Sequence, residues 1–132
     1  MAIPPGSYGA FTANGNNRFT FGTTGATEPS VYYLQRLTLN GTSRLDVVGP
    51  VVLVLANGGA VNGDMGNEDA PELLLVRIAT GGLTLNGGAD FYGLVDAPAG
   101  TVVVNGNATL TGIVISDRLT VNGNGHLILG EF

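Results

Sequence analysis

A unit of the form apolar, variable, apolar, Asn, Gly recurs along the chain. It reads LTLNG at 37–41, AVNG at 60–63, LTLNG at 83–87, VVVNG at 102–106 and LTVNG at 119–123, with a weaker copy, FTANG, at 11–15. The asparagines, Asn14, Asn40, Asn62, Asn86, Asn105 and Asn122, are spaced by 26, 22, 24, 19 and 17 residues. Self-similarity at roughly 20–50 residues is the mark of a repeat architecture in which each unit buries its apolar face only against its neighbours. Five residues after the asparagine stands a large apolar residue in five of the six copies: Phe19, Leu45, Phe91, Leu110 and Leu127. After Asn62 that place falls to Asn67, inside an acidic stretch expected to be a loop insertion over residues 64–72.

Between the asparagines the apolar runs are short, β-branched and bounded by turn residues, as in VVLVLA, LLLVRIA, TVVVNG and GIVIS. Such runs predict strands, and no window of a dozen residues has helical periodicity free of Gly or Pro. Asn-Gly between apolar runs ordinarily announces a hairpin. A hairpin meander, however, reverses direction at each copy, whereas a coil that lays each strand parallel above the last brings every Asn-Gly to one corner. The constant phase of the repeat favours the coil. Parallel crossovers are right-handed with few exceptions, so the expected fold is all-β, a right-handed parallel β-helix, or β-solenoid, of about five to six coils. One domain over residues 1–132 is expected, with residues 1–13 forming an N-terminal cap and the entry to the first coil. A left-handed helix of hexapeptide repeats is the alternative, but no six-residue period is visible. Adjacent strands lie about 4.8 Å apart, which makes a rod roughly 25–30 Å long.

Two inward columns are expected, Leu37, Val61, Leu83, Val102 and Leu119 beside Leu39, Leu85, Val104 and Val121, with Thr38, Thr84, Val103 and Thr120 facing out. The asparagines are assigned to the corners, where a left-handed conformation costs Asn and Gly least and where stacked side-chain amides can bond along the column.

Composition supports a packed fold of this kind. Gly and Pro supply 22 and 6 of the 132 residues, just short of the level of about 25–30% that marks aperiodic, disordered chains. Leu, Ile, Val and Phe make up about 30%, ample for a core. Only 11% of residues are charged, and the five basic ones are all arginine, Arg18, Arg36, Arg44, Arg77 and Arg118. The net charge of −5 leaves no basic surface for phosphates, so nucleic acid is not an expected partner. The longest apolar stretch, residues 47–56, is half the length of a membrane span and contains Gly49 and Pro50, so no membrane insertion is expected. No cysteine is present to form a disulfide or a thiolate metal site. The start, residues 1–5, lacks the basic and apolar regions of a signal peptide, so any export signal is expected to have been removed.

Three stretches carry a likeness: PPGSYG at 4–9, TLNGTSRLDVVGPVVLVLA at 38–56 and ADFYGLVDAPAGTVVVNGNATLTGIVISDRLTVNGNGHLIL at 89–129. They resemble bacterial extracellular domains of the pilus-associated and choice-of-anchor A kind, modules similar to those of large secreted or surface proteins of verrucomicrobial bacteria. The resemblance implies a right-handed parallel β-helix in an exported protein at the cell surface or in a matrix, with no catalytic motif to transfer. Bactofilins, β-helices that polymerise, are a more distant likeness without matching motifs.

The candidate chemistry is sparse. Asp64, Glu68, Asp69 and Glu72 offer oxygen ligands of the type Ca²⁺ prefers, but without the spacing of an EF-hand or a calcium β-roll. Asp90, Asp96 and Asp117 are the carboxyls available to a polysaccharide-degrading β-helix, which needs two at a defined separation. His126 is the only histidine, and Ser7, Ser30, Ser43 and Ser116 lack a nucleophile context. Thr38, Thr84 and Thr120 form a narrow threonine row that Val103 interrupts, a poor match to an ice or crystalline-polysaccharide surface. The expected function is therefore a non-catalytic structural or interaction module without a cofactor. Its expected partners are proteins, either copies of itself or neighbours in a parent chain, with carbohydrate binding or degradation as the alternative. The segment HLILGEF, 126–132, holds nothing to cover the last coil. A fragment of a longer solenoid, or association through ends or sides, is expected from it.

Overall fold

The computed structural model describes residues 2–129, and these form a parallel β-solenoid of about five turns. Its strands are β1 (Gly6–Ala13), β2 (Arg18–Phe21), β3 (Ser30–Leu39), β4 (Arg44–Val47), β5 (Val51–Leu55), β6 (Gly59–Val61), β7 (Asp64–Gly66), β8 (Leu74–Ile78), β9 (Leu83–Leu85), β10 (Asp90–Val104), β11 (Thr109–Val121) and β12 (His126–Leu129). One 3-10 turn, Pro71–Leu73, precedes β8, and no α-helix occurs among the described residues. Every strand pairing is parallel, so the Asn-Gly pairs close coils and not hairpins.

The register sorts the strands into three walls. The first stacks β2, β4, β7, the start of β10, the start of β11 and β12. A second wall stacks the starts of β1 and β3, then β5, β8 and the middles of β10 and β11. The third stacks the ends of β1 and β3, then β6, β9 and the ends of β10 and β11. The long strands β3, β10 and β11 each turn the corner from the second wall to the third. Along most strands buried and less buried residues alternate, as in Val51–Leu55, and the buried set forms one core.

Two columns differ from the sequence expectation. Val61 pairs with Leu39 and Leu85, while the place beside Leu37 and Leu83 belongs to Gly59. A Cβ on Gly59 would lie 2.7 Å from the carbonyl oxygen of Leu37, so the backbones approach too closely there for the apolar side chain the repeat suggests. The expected loop over 64–72 is also shorter than its boundaries imply. Asp64, Met65 and Gly66 form β7, and Met65, 1% exposed, stands between Leu45 and Phe91 in the core column. The corner after Asn62 has simply lost two residues, which moves the column residue from five places after the asparagine to three. Only the stretch after β7 departs from the coil.

The two ends of the core are unlike. At the N-terminal end Phe11 packs edge-on against Phe19 and Phe21, with ring centroids 5.1 and 5.7 Å apart, and Phe21 packs on Tyr32 at 4.4 Å. Ala2 bridges to Thr20, and the Ile3 N–H donates to the Thr20 carbonyl at 2.9 Å. The Tyr32 hydroxyl donates to the Ile3 carbonyl at 2.6 Å and accepts the Gly22 N–H at 3.1 Å, while the Tyr8 hydroxyl donates to the Pro4 carbonyl at 2.5 Å. The cap expected over residues 1–13 thus contains both this folded-over segment, from residue 2 onward, and β1. Met1 and the final residues of HLILGEF, 130–132, lie outside the described residues.

Truncating Met65 to Ala should cost about 2–5 kcal/mol, the range for a buried methionine, measured by urea unfolding. A loss under about 0.5 kcal/mol would return the residue to a loop.

Candidate functional site

At the Asn-Gly corners the chemistry is divided between the two residues. Gly41, Gly87, Gly106 and Gly123 have φ of 62–65°, the left-handed region, as does Gly15, whereas no non-glycine described residue has positive φ. The asparagines therefore hold their places through side-chain bonds and not through tolerance of that conformation. The Asn40 amide donates to Asn14 Oδ1 at 2.9 Å and the Asn62 amide to Asn40 Oδ1 at 3.1 Å; Asn105 donates to Asn86 at 3.0 Å and Asn122 to Asn105 at 2.8 Å. The two ladders are not joined between Asn62 and Asn86, at the shortened corner, although the backbone bond there, Asn86 N–H to Val61 carbonyl at 3.0 Å, is kept.

Three residues after Asn40, Asn86 and Asn105 stands a small buried residue, a signal the sequence reading missed. Ser43, Ala89 and Ala108 are each fully buried. The Ser43 hydroxyl has no hydrogen-bond partner, so it carries a desolvation cost that alanine, present two and three coils further on, avoids.

The outward side of the first wall gathers the charges. Arg18, Arg44, Asp64, Asp90, Thr109 and His126 follow one another in register. Asp64 belongs to this column because of the short corner, which is why spacing alone did not place it there. Asp46, beside the column, receives Arg18 Nε at 3.1 Å and Arg44 Nε at 3.2 Å, and Arg44 Nη1 lies 3.5 Å from Asp64. Exposed pairs of this kind contribute roughly 0–1 kcal/mol each. Asp64 Oδ1 also accepts the Asp90 backbone N–H at 3.1 Å. Partial burial pushes the Asp90 carboxyl above the usual carboxylate range, the Asp64 and Glu68 charges push it the same way, and Arg44 opposes them. Burial likewise raises Tyr92, aided by Asp90, Glu68 and Asp64.

The carboxylates singled out in the sequence fall on different parts of the coil. Asp90 lies on the first wall and Asp96 on the second, with Asp117 at a bend where it alone faces the three residues 98–100. Glu68 and Asp69 are exposed beyond β7, and Glu72 is exposed in the 3-10 turn. Asp64, Glu68, Asp69 and Glu72 do not come together, and no group of three or more His, Cys, Asp or Glu among the described residues is placed to hold a metal ion. His126 is exposed, and Ser7, Ser30 and Ser116 lie on separate rungs or walls away from it. A shallow groove of about 480 Å³ crosses the edge of the third wall, lined by Arg36, Asn57, Gly82, Thr84 and Thr101 without a carboxylate. In the threonine row of that wall Ala60, as well as Val103, separates the hydroxyls. Among the described residues no helix is long and apolar enough to cross a membrane.

The last coil is the exception to this uniform surface. Of the seven large apolar side chains exposed among the described residues, five belong to it: Ile115 (58%), Leu119 (42%), Val121 (43%), Ile128 (53%) and Leu129 (74%). Leu119 and Val121 occupy the inward columns, as expected, but there is no further coil among the described residues to cover them. Among the described residues, β11 beyond Gly112 pairs on one side only, with β10.

No family model matches the chain, and no curated protein or solved structure matches it.

Ser43→Ala should leave stability unchanged or raise it by about 1–3 kcal/mol in chemical unfolding. For Asp90, a raised folded-state pKa means that the native chain holds the proton more tightly than the unfolded chain does. Its contribution favours folding at low pH and is lost as pH rises through the raised value. Asp90→Asn should therefore raise the melting temperature at pH 7, and the gain should shrink as the pH falls below the ordinary carboxylate range. An equal gain at pH 7 and pH 3 would remove the electrostatic cause.

Proposed function

We propose that this chain is a non-catalytic structural module of an exported bacterial surface or matrix protein, working through protein association at the open end of its stack. The observation that carries this is the concentration of exposed apolar side chains on the last coil. Isolated exposed apolar residues need no explanation, but a contiguous set rimmed by polar groups marks a contact surface. Here Leu119 and Val121 lie on the part of β11 that pairs on one side among the described residues, the feature that folded β-proteins ordinarily blunt with charge, proline or a covering segment. Apolar contact and ladder bonds would then reinforce each other at one surface.

The rest of the molecule supports a mechanical role. Its core is continuous and its pairings among the described residues are all parallel. The exported, bacterial setting rests on the resemblance of the PPGSYG, TLNGTSRLDVVGPVVLVLA and ADFYGLVDAPAG-containing stretches to extracellular β-helix modules.

Light scattering coupled to size exclusion tests the association. The chain should increase in mass above the monomer as concentration rises, and Leu119→Asp combined with Val121→Lys should hold it monomeric. Because both positions are partly exposed, the double variant should keep a melting temperature within a few degrees of the parent. A parent chain that stays monomeric up to millimolar concentration would refute the proposal.

A further inference from the structure

Four of the Asn-Gly corners close with one and the same turn. The Asn40, Asn86, Asn105 and Asn122 carbonyls accept the N–H three residues on, from Ser43, Ala89, Ala108 and Gly125, at 3.2, 3.2, 3.1 and 3.0 Å, and the glycine that follows each asparagine has φ of 62–65°. Their side chains differ. Asn40, Asn105 and Asn122 each donate through Nδ2 to the asparagine one coil back, at 2.9, 3.0 and 2.8 Å. Asn86 stands directly after the break in the ladder: its Oδ1 accepts the Asn105 amide, and its Nδ2 makes no hydrogen bond among the described residues. Asn14 begins the other run in a corner closed differently, by the Asn17 side chain on the Asn14 carbonyl at 2.8 Å. We infer that Asn86 is a modification site, the first of the four asparagines in the shared turn to deamidate.

In that reaction the Gly87 backbone nitrogen bonds to Asn86 Cγ and gives up its proton, the Cγ–Nδ2 bond breaks, and Nδ2 leaves as ammonia. Water then opens the cyclic imide on one side or the other, to aspartate or isoaspartate, and no oxidant or reductant enters. Gly87 is exposed, with no side chain to screen its nitrogen. Negative charge develops on Asn86 Oδ1 as the nitrogen adds, and the Asn105 amide already aims a donor at that oxygen. Nδ2 of Asn86 departs without breaking a bond. At Asn40, Asn105 and Asn122 the departing nitrogen first gives up its ladder bond, which slows the step by about 2- to 10-fold. The product follows the same rule. An aspartate in place of Asn86 still offers Asn105 an oxygen, now as a charged and stronger acceptor, whereas a carboxylate at any of the other three corners turns oxygen toward oxygen. The run of asparagines that starts at Asn86 therefore protects every member except its first.

Peptide mapping by mass spectrometry, on the full chain sampled through incubation in mildly alkaline buffer, reads each asparagine separately. The rate of each in the folded chain is taken relative to the rate of the same residue in concentrated urea, where no ladder exists. On that scale conversion at Asn86 should exceed conversion at Asn40, Asn105 and Asn122 by about 2- to 10-fold. Asn86→Ala should move the vulnerable place up one coil. It leaves Asn105 accepting from Asn122 while releasing Asn105 Nδ2, so Asn105 should then convert faster by a similar factor in a variant whose circular dichroism matches the parent's. Equal protection of the four corners overturns the inference, as does an Asn105 rate that folded Asn86→Ala leaves unchanged. The comparison within the parent chain decides the matter even if that variant does not fold. Melting provides a separate check on the product: Asn86→Asp should melt with the parent and Asn105→Asp below it, and the reverse order also overturns the inference.

Discussion

Everything in this molecule depends on the parallel backbone ladder between successive coils. Each rung fixes the height of the next at about 4.8 Å, and because the register holds through all three walls, side chains of like position stack into columns. The columns of Leu37, Leu83 and Val102, or of Leu45, Met65, Phe91 and Leu110, are consequences of that register. So is the asparagine ladder, which joins Asn14, Asn40 and Asn62 in one run and Asn86, Asn105 and Asn122 in another. Where a corner is two residues shorter, after Asn62, the backbone ladder continues and the side-chain ladder stops. The hierarchy is therefore clear: backbone pairing sets the coil, apolar columns fill it, and corner amides follow.

The repeat made the coil legible because it fixed a phase, and phase is what separates a solenoid from a set of hairpins. It also located the corner asparagines and three of the four buried residues of the core column, Leu45, Phe91 and Leu110. Its failures came where a corner changed length. Met65 was hidden because the counting rule of five residues assumed a constant corner, and Val61 was set one column away for want of the pairing partner. Asp64 and its neighbour relation to Arg44 and Asp90 were lost in the same way, since an acidic residue next to Gly looks like a loop until a strand on each side claims it. Ser43 was invisible for another reason: a small residue in a turn gives no sign that it is buried.

Function is legible here chiefly as surface. The charges of the first wall are spent on one another, Arg18 and Arg44 on Asp46 and Arg44 on Asp64, and the carboxylates left over are separated by corners. A coil whose inner columns must be apolar has only its outer faces and its two ends with which to meet other molecules. The outer faces carry Thr, Val and Ala in mixed order, while among the described residues the ends differ in their side chains, aromatic rings at one and exposed aliphatic groups at the other.

The plug at one end has an effect on the whole rod. In a solenoid each coil is stabilised only by the coils above and below it; on the first wall β2 is held from both sides, by β4 and by the Ala2–Thr20 bridge, while β12 pairs on one side among the described residues. A rung paired on both sides opens less readily than one paired on a single side. The Ala2–Ile3 segment therefore steadies β2 first and, through β4, the first wall behind it.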